Sequence, residues 1–269
     1  MSIISAPESG DNSSNHEALR SDHRLYGLAI NNNLAMNNDL SPALTEPSWL
    51  TPCFGVQLSK ACAQAFSTMK TSAASDGIDL MPCSGYRSFE RQLTIWNNKA
   101  RGLRPLLDAN EQPLNYCDLT DDELVDTILL WSALPGASRH HWGCDVDVYD
   151  AATLDVKQLQ LVQSEYNAGG PCAKLSEWLA QHAHEFGFFL PFQQGLSGVS
   201  PEPWHISYAP ESTLLLRQFS SHALYQVLSQ HDICLKAAIL PKLEHIVAHY
   251  VRKIAPIPAS LRLNNGPNG

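Results

Sequence analysis

Ser138-Arg139-His140-His141-Trp142-Gly143-Cys144-Asp145-Val146-Asp147-Val148 decides the reading of this chain. From Cys144 onward polar and apolar residues alternate, as in a half-buried strand, so Asp145 and Asp147 share one face while Cys144, Val146 and Val148 point to a core. A second segment, Pro201-Glu202-Pro203-Trp204-His205-Ile206-Ser207-Tyr208, supplies another histidine with a glutamate three places before it. His140, Asp147 and His205 make a candidate metal set of the kind zinc takes in hydrolytic sites: three His or carboxylate ligands and a fourth position left open.

The pattern implies a division of labour. A dication lowers the pKa of a water it holds from ~15.7 to about 7 and polarises a carbonyl. A base must still move the proton, and Glu202 sits on the same turn as His205, free to serve as one. Pro201 and Pro203 fix φ on either side of it and stiffen that turn. A third segment, Ser84-Gly85-Tyr86-Arg87-Ser88-Phe89-Glu90-Arg91-Gln92, adds a guanidinium that stays protonated at any working pH. Arg87 suits either a forked pair with a substrate carboxylate or stabilisation of a developing oxyanion. Both roles point to a peptide terminus as substrate.

Taken in order, the three segments match S-G-Y-R-S-x-x-x-Q, S-x-H-x-x-G-x-A-x-D and E-x-W-H. The chain thereby resembles the D-Ala-D-Ala metallocarboxypeptidases, a group that includes vancomycin-resistance carboxypeptidases and the D,D- and L,D-carboxypeptidases of peptidoglycan. Lysostaphin-type endopeptidases and the hedgehog signalling domain belong to the wider group. The resemblance runs from about residue 80 to about residue 210. It implies an α+β fold, a small antiparallel sheet carrying the zinc ligands and packed with helices. It implies His140, Asp147 and His205 as zinc ligands, Glu202 as general base, and Arg87 as anchor or transition-state stabiliser. Gln92 and Ser138 would line the substrate cleft. The implied reaction is removal of a C-terminal residue, D-Ala by analogy, from a peptidoglycan-type peptide. The alternatives are an endopeptidase of the same chemistry and a non-catalytic zinc-binding module.

The chain departs from the family pattern in two ways. Asp145 stands where a small alanine is usual, and Arg139, His141 and Trp142 surround the first histidine in place of Glu and Gln types. Asp145 reads either as a carboxylate orienting a ligand histidine or as a solvated strand residue. His141 reads as packed or substrate-facing rather than metal-binding.

Composition narrows the alternatives. A formal net charge of -9 over 269 residues, with no basic cluster, disfavours nucleic acid as a partner. Seven cysteines without a C-x-x-C pair indicate neither a zinc ribbon nor a complete disulfide framework. Reduced thiols and the absence of a basic, then apolar, secretory start lead to the expectation of a cytoplasmic protein. No stretch approaches the ~20 apolar residues of a membrane span.

Along the chain, residues 1–22 read as a disordered tail and 23–256 as one peptidase domain with C-terminal helices from about 211, followed by a tail over 257–269. Residues 31–38 and 42–52 read as loop. Helices are expected over 56–75, 89–101, 120–134 (with a Thr120/Glu123 capping box), 175–186, and twice within 211–254. Strands are expected over 78–82 and 188–192. The loop over 193–200 is placed to cover a cleft. His245 and His249 lie four apart but lack the glutamate of H-E-x-x-H, so a surface or core pair is expected. His182 and His184 read as structural, and His16, His23, His222 and His231 carry no motif.

Overall fold

A computed structural model describes residues 24–28 and 47–262. The expectations for residues 1–22, 31–38 and 263–269, and those for His16 and His23, lie outside the described residues.

The chain is α+β, and its centre is a four-stranded antiparallel sheet. Before that sheet comes a hairpin of β1 (Leu50–Cys53) and β2 (Val56–Ser59), joined through Phe54 and Gly55 at φ of 47° and 92°. Two successive positive φ values are what a two-residue type I′ turn requires. The helix expected from residue 56 therefore begins later, as α1 (Lys60–Ser75). Val56 and Leu58 carry a period of two, and the Ser59 hydroxyl accepts from the Cys62 amide and caps the helix. Helix α1 turns Cys62, Phe66, Met69 and Ala73 inward. Full burial of Phe66 and Met69 contributes about 1.5–3 kcal/mol each.

Strand β3 (Leu80–Ser84) lies two residues beyond the expected strand because its register on β6 (Asp145–Asp150) runs from Leu80 opposite Asp150 to Ser84 opposite Asp147. The register shifts between Pro82 and Ser84, and such an irregularity is where a strand tolerates proline. Helix α2 (Phe89–Ala100) follows, capped by Ser88 as its sequence implies. After it comes a small hairpin, β4 (Leu106–Leu107) with β5 (Pro113–Leu114). Helix α3 (Asp121–Leu129) has the Thr120/Glu123 capping box but stops five residues short of expectation. The Leu130 carbonyl accepts from the Ser200 amide, so the chain leaves the helix there.

Helix α4 (Ala173–His182) runs into a 3-10 turn, Ala183–Phe186, that ends at Gly187 as expected. Strand β7 (Phe188–Phe189) is shorter than expected, and β8 (His205–Tyr208) completes the sheet in the order β3-β6-β8-β7. Helices α5 (Ala209–Gln218) and α6 (Ser221–Gln230) come next. The last expected helix is present as a run of short helical segments from Lys236 to Arg252, α, 3-10, α and π in turn, with Pro241 in the 3-10 segment. Val146, Val148, Ile206 and Phe188 join α1, α2 and α4 in one contiguous core. No helix among the described residues is long and apolar enough to cross a membrane.

Candidate metal centre

The pairing of β6 with β8 builds the site. Asp147 lies opposite His205 and Asp145 opposite Ser207, so period-two alternation puts all four side chains on one face of the sheet. His140 arrives from a 3-10 turn, Arg139–Trp142, closed by Gly143 at φ 66°. A Cβ at Gly143 would stand 2.6 Å from the Trp49 ring, so both the left-handed backbone and the close packing require glycine. One nitrogen or oxygen from each of His140, Asp147 and His205 lies within 4.8 Å of the others, and all three residues are buried.

Each imidazole is oriented by a bond on its far nitrogen. His140 Nδ1 faces the Gly85 carbonyl at 2.8 Å, which fixes the proton there and leaves Nε2, 3.2 Å from Asp147 Oδ2, for a metal. His205 is oriented the opposite way. Its Nε2 contacts Asp145 Oδ2 at 2.8 Å, and its Nδ1 lies 2.9 Å from Asp147 Oδ1 and 3.5 Å from Glu202 Oε2. The ring of Phe192 packs on His205 with centroids 4.7 Å apart. Two imidazoles and a carboxylate converging in this way fit a divalent metal of the zinc type.

Burial raises the carboxyl of Asp147, but the His140 and His205 imidazoles outweigh it and hold the group well below the usual carboxylate range. Burial likewise opposes a charge on His205, yet Asp145 and Asp147 together push its pKa up to about 10. Burial lowers His140. Glu202 goes the other way: burial lifts it to about 7, against the pull of His205. A carboxyl poised near neutrality beside a candidate metal set has the acid–base character of a proton shuttle.

Arg87 is held from both sides. Its Nη1 donates to Gln92 Oε1 at 2.8 Å and its Nη2 to the Ser84 hydroxyl at 3.2 Å, while its backbone amide donates to the His140 carbonyl. Gln92 is fully buried, and its amide nitrogen donates to the Ala133 carbonyl, so its side chain faces Arg87 and not solvent. Ser138 is buried at the start of the Arg139–Trp142 turn and makes no capping bond. His141 is fully packed: Nδ1 donates to the Arg87 carbonyl at 2.6 Å and Nε2 accepts from the Gly136 amide at 3.0 Å. Asp145 is fully buried, which removes the solvated reading.

His245 and His249 stack on each other with centroids 5.9 Å apart and take no part in the centre. His182 bonds Glu185 on the surface. Sequence reading passed over Ser207, the cross-strand partner of Asp145, and Lys99, whose pKa burial pulls down to about 8 with Arg104 and Glu202 acting on it. Lys99 stands two helical turns after Gln92 on α2, and that spacing was the available signal.

Several known proteins are similar to this chain in sequence or fold. The VanY family profile, described as D-alanyl-D-alanine carboxypeptidase, matches residues 55–211. A Haemophilus influenzae protein without a described function is 41% identical over 121 residues, covering 44% of this chain and 92% of that one. A D-alanyl-D-alanine carboxypeptidase of Enterococcus faecalis is 29% identical over 143 residues, which is 51% of this chain and 42% of the relative. The chain thus spans less than half of that enzyme's length. VanYB, solved in complex with D-alanine-D-alanine, aligns with TM-score 0.45 at 19% identity, over 74% of this chain and 93% of that one.

Proposed function

The chain belongs to the VanY family of D-alanyl-D-alanine carboxypeptidases, and from that premise we propose that it removes a C-terminal D-alanine from peptidoglycan-type peptides, using zinc. The observation that carries the reading is the convergence of His140, Asp147 and His205 within 4.8 Å, with Glu202 3.5 Å from His205. His140 Nε2, an Asp147 oxygen and His205 Nδ1 would hold the metal. When bound, a divalent ion there polarises the scissile carbonyl and makes water acidic enough to attack near neutral pH.

The chain's own residues do the rest. Glu202 takes a proton from the attacking water and returns it to the leaving amine. Arg87, locked by Gln92 and Ser84, presents its guanidinium to the terminal carboxylate or to the oxyanion. Gln92 acts through Arg87. His141 ties the backbone of Arg87 to that of Gly136, so the guanidinium and the His140 turn move as one unit. Ser138 starts that turn.

Digestion of purified muropeptides, with products read by mass, tests the reading. Loss of one terminal alanine, abolished by a chelator, supports a carboxypeptidase. Internal scission would replace it with an endopeptidase, and stoichiometric zinc without turnover on any peptide would leave a binding module.

A further inference from the structure

Asp145, at a position where the family pattern has a small residue, sits at the centre of a buried polar cluster beside the metal set. Its Oδ2 accepts from Arg139 Nε at 2.6 Å and from His205 Nε2 at 2.8 Å. Its Oδ1 accepts from the Ser207 hydroxyl at 2.8 Å, with Arg139 Nη2 at 3.5 Å. Ser207 in turn accepts from Arg139 Nη2 at 2.6 Å and lies 2.9 Å from the Ser212 hydroxyl. The Arg139 guanidinium also covers the Trp142 ring at 4.6 Å, and only its Nη1 is a buried side-chain atom without a partner among the described residues.

Sheet register explains the arrangement. His205 faces Asp147 directly across β6 and β8, and Asp145 stands on the diagonal, within reach of the far edge of the same ring. The imidazole is therefore gripped between two carboxylates on one strand. Which of its nitrogens is free for a metal depends on which carboxylate is committed elsewhere. Asp145 is committed: both its oxygens are occupied, and Arg139 compensates its charge. Among the described residues, the two imidazoles are the side chains that Asp147 pairs with.

We propose that Arg139 and Asp145 are coupled positioning residues of the metal site: Asp145 holds the proton of His205 on Nε2, so that Nδ1 is the ligand atom, and Arg139 keeps Asp145 out of the metal's reach. The inference rests on the metallopeptidase reading and adds two residues to it. It also accounts for Arg139 and Asp145 occurring together, because neither residue is tolerable alone: an unpaired guanidinium or carboxylate at this depth would be stranded.

Two charge-neutral double variants isolate the effect. Arg139→Met with Asp145→Asn keeps an acceptor for His205 Nε2–H, whereas Arg139→Met with Asp145→Ala removes it. Zinc affinity is measured by competition with a chromophoric chelator. The alanine pair is expected to bind zinc 10–100-fold more weakly than the parent, and the asparagine pair to recover most of the loss. Equal affinity in the parent and the alanine pair, or equal weakening of both variants, overturns the proposal. Long-range proton–nitrogen spectra of the zinc-loaded parent supply a check that needs no variant to fold. They should show His205 protonated at Nε2 and metal-bound at Nδ1, and the opposite assignment refutes it. A parent that takes up no zinc would instead sink the metallopeptidase reading itself.

Discussion

Replacing Glu202 by glutamine should make the protein more stable and almost inactive. Burial lifts this carboxyl from an ordinary 4.5 to about 7. A raised carboxyl pKa means the fold disfavours the charged form, so the penalty is absent below pH 4.5, grows as pH rises, and is complete above 7. A shift of that size at ~1.36 kcal/mol per unit gives a ceiling of about 3 kcal/mol at neutral pH. With local relaxation, a gain of about 1–3 kcal/mol is expected for the neutral, nearly isosteric amide. In a chain of this length that raises Tm by roughly 2–10 °C, read by calorimetry with chelator present. In the same variant, loss of the proton shuttle should lower kcat on a D-Ala-terminated peptide by about 10²–10⁴. The two effects must appear together. A variant that keeps a tenth or more of the parent's kcat, or one whose Tm falls, would refute the assignment of Glu202 as a buried base.

Other perturbations probe the scaffold around it. His141, whose pKa burial drives down to about 3, refuses a proton that the unfolded chain accepts near 6.5, so it contributes stability above that pH which is lost as pH falls toward 3. Comparing parent with His141→Gln by denaturant melts at pH 7.5 and 5 should show a shallower loss in the variant, and parallel losses would contradict this. Lys99→Met should stabilise the protein by about 1–3 kcal/mol at pH 7, because the fold opposes the ammonium and shifts its pKa from 10.5 to about 8; a destabilised variant would show that the charge is compensated. Gly85→Ala would place a Cβ 2.6 Å from the Gln57 carbonyl oxygen and displace the carbonyl that orients His140. A loss of about 1–3 kcal/mol and weaker zinc uptake are expected, and unchanged zinc affinity would mean that the His140 ring is held by other contacts.

How much of this was legible in the sequence follows from how locally each feature is encoded. His140, Asp147, His205 and Glu202 sit in short motifs whose chemistry names them, and the alternation from Cys144 to Val148 correctly put both aspartates on one face. Which residue faces which across the sheet is not local. The pairing of Asp145 with Ser207, and its diagonal reach to His205, depend on the register of β6 against β8, sixty residues apart. The open choice between an orienting and a solvated Asp145 therefore turned on burial, which only the tertiary fold sets. Gln92 read as cleft-lining for the same reason, since the Ala133 carbonyl that receives its amide belongs to another segment. The hairpin of β1 and β2 is different. Val56 and Leu58 carried its period, but they also fit the helical spacing of the apolar residues that follow from Ala61 on, and that masked it.

The central claim, metal-dependent removal of a terminal D-alanine by this centre, meets its most direct test in one mass spectrum. A synthetic stem peptide ending in D-Ala-D-Ala is incubated with the parent chain, with chelator-treated chain, and with treated chain resupplied with zinc. Loss of one alanine is expected in the first and third samples and an intact peptide in the second. An intact peptide in all three, or a cut that chelation leaves unaffected, would contradict the claim.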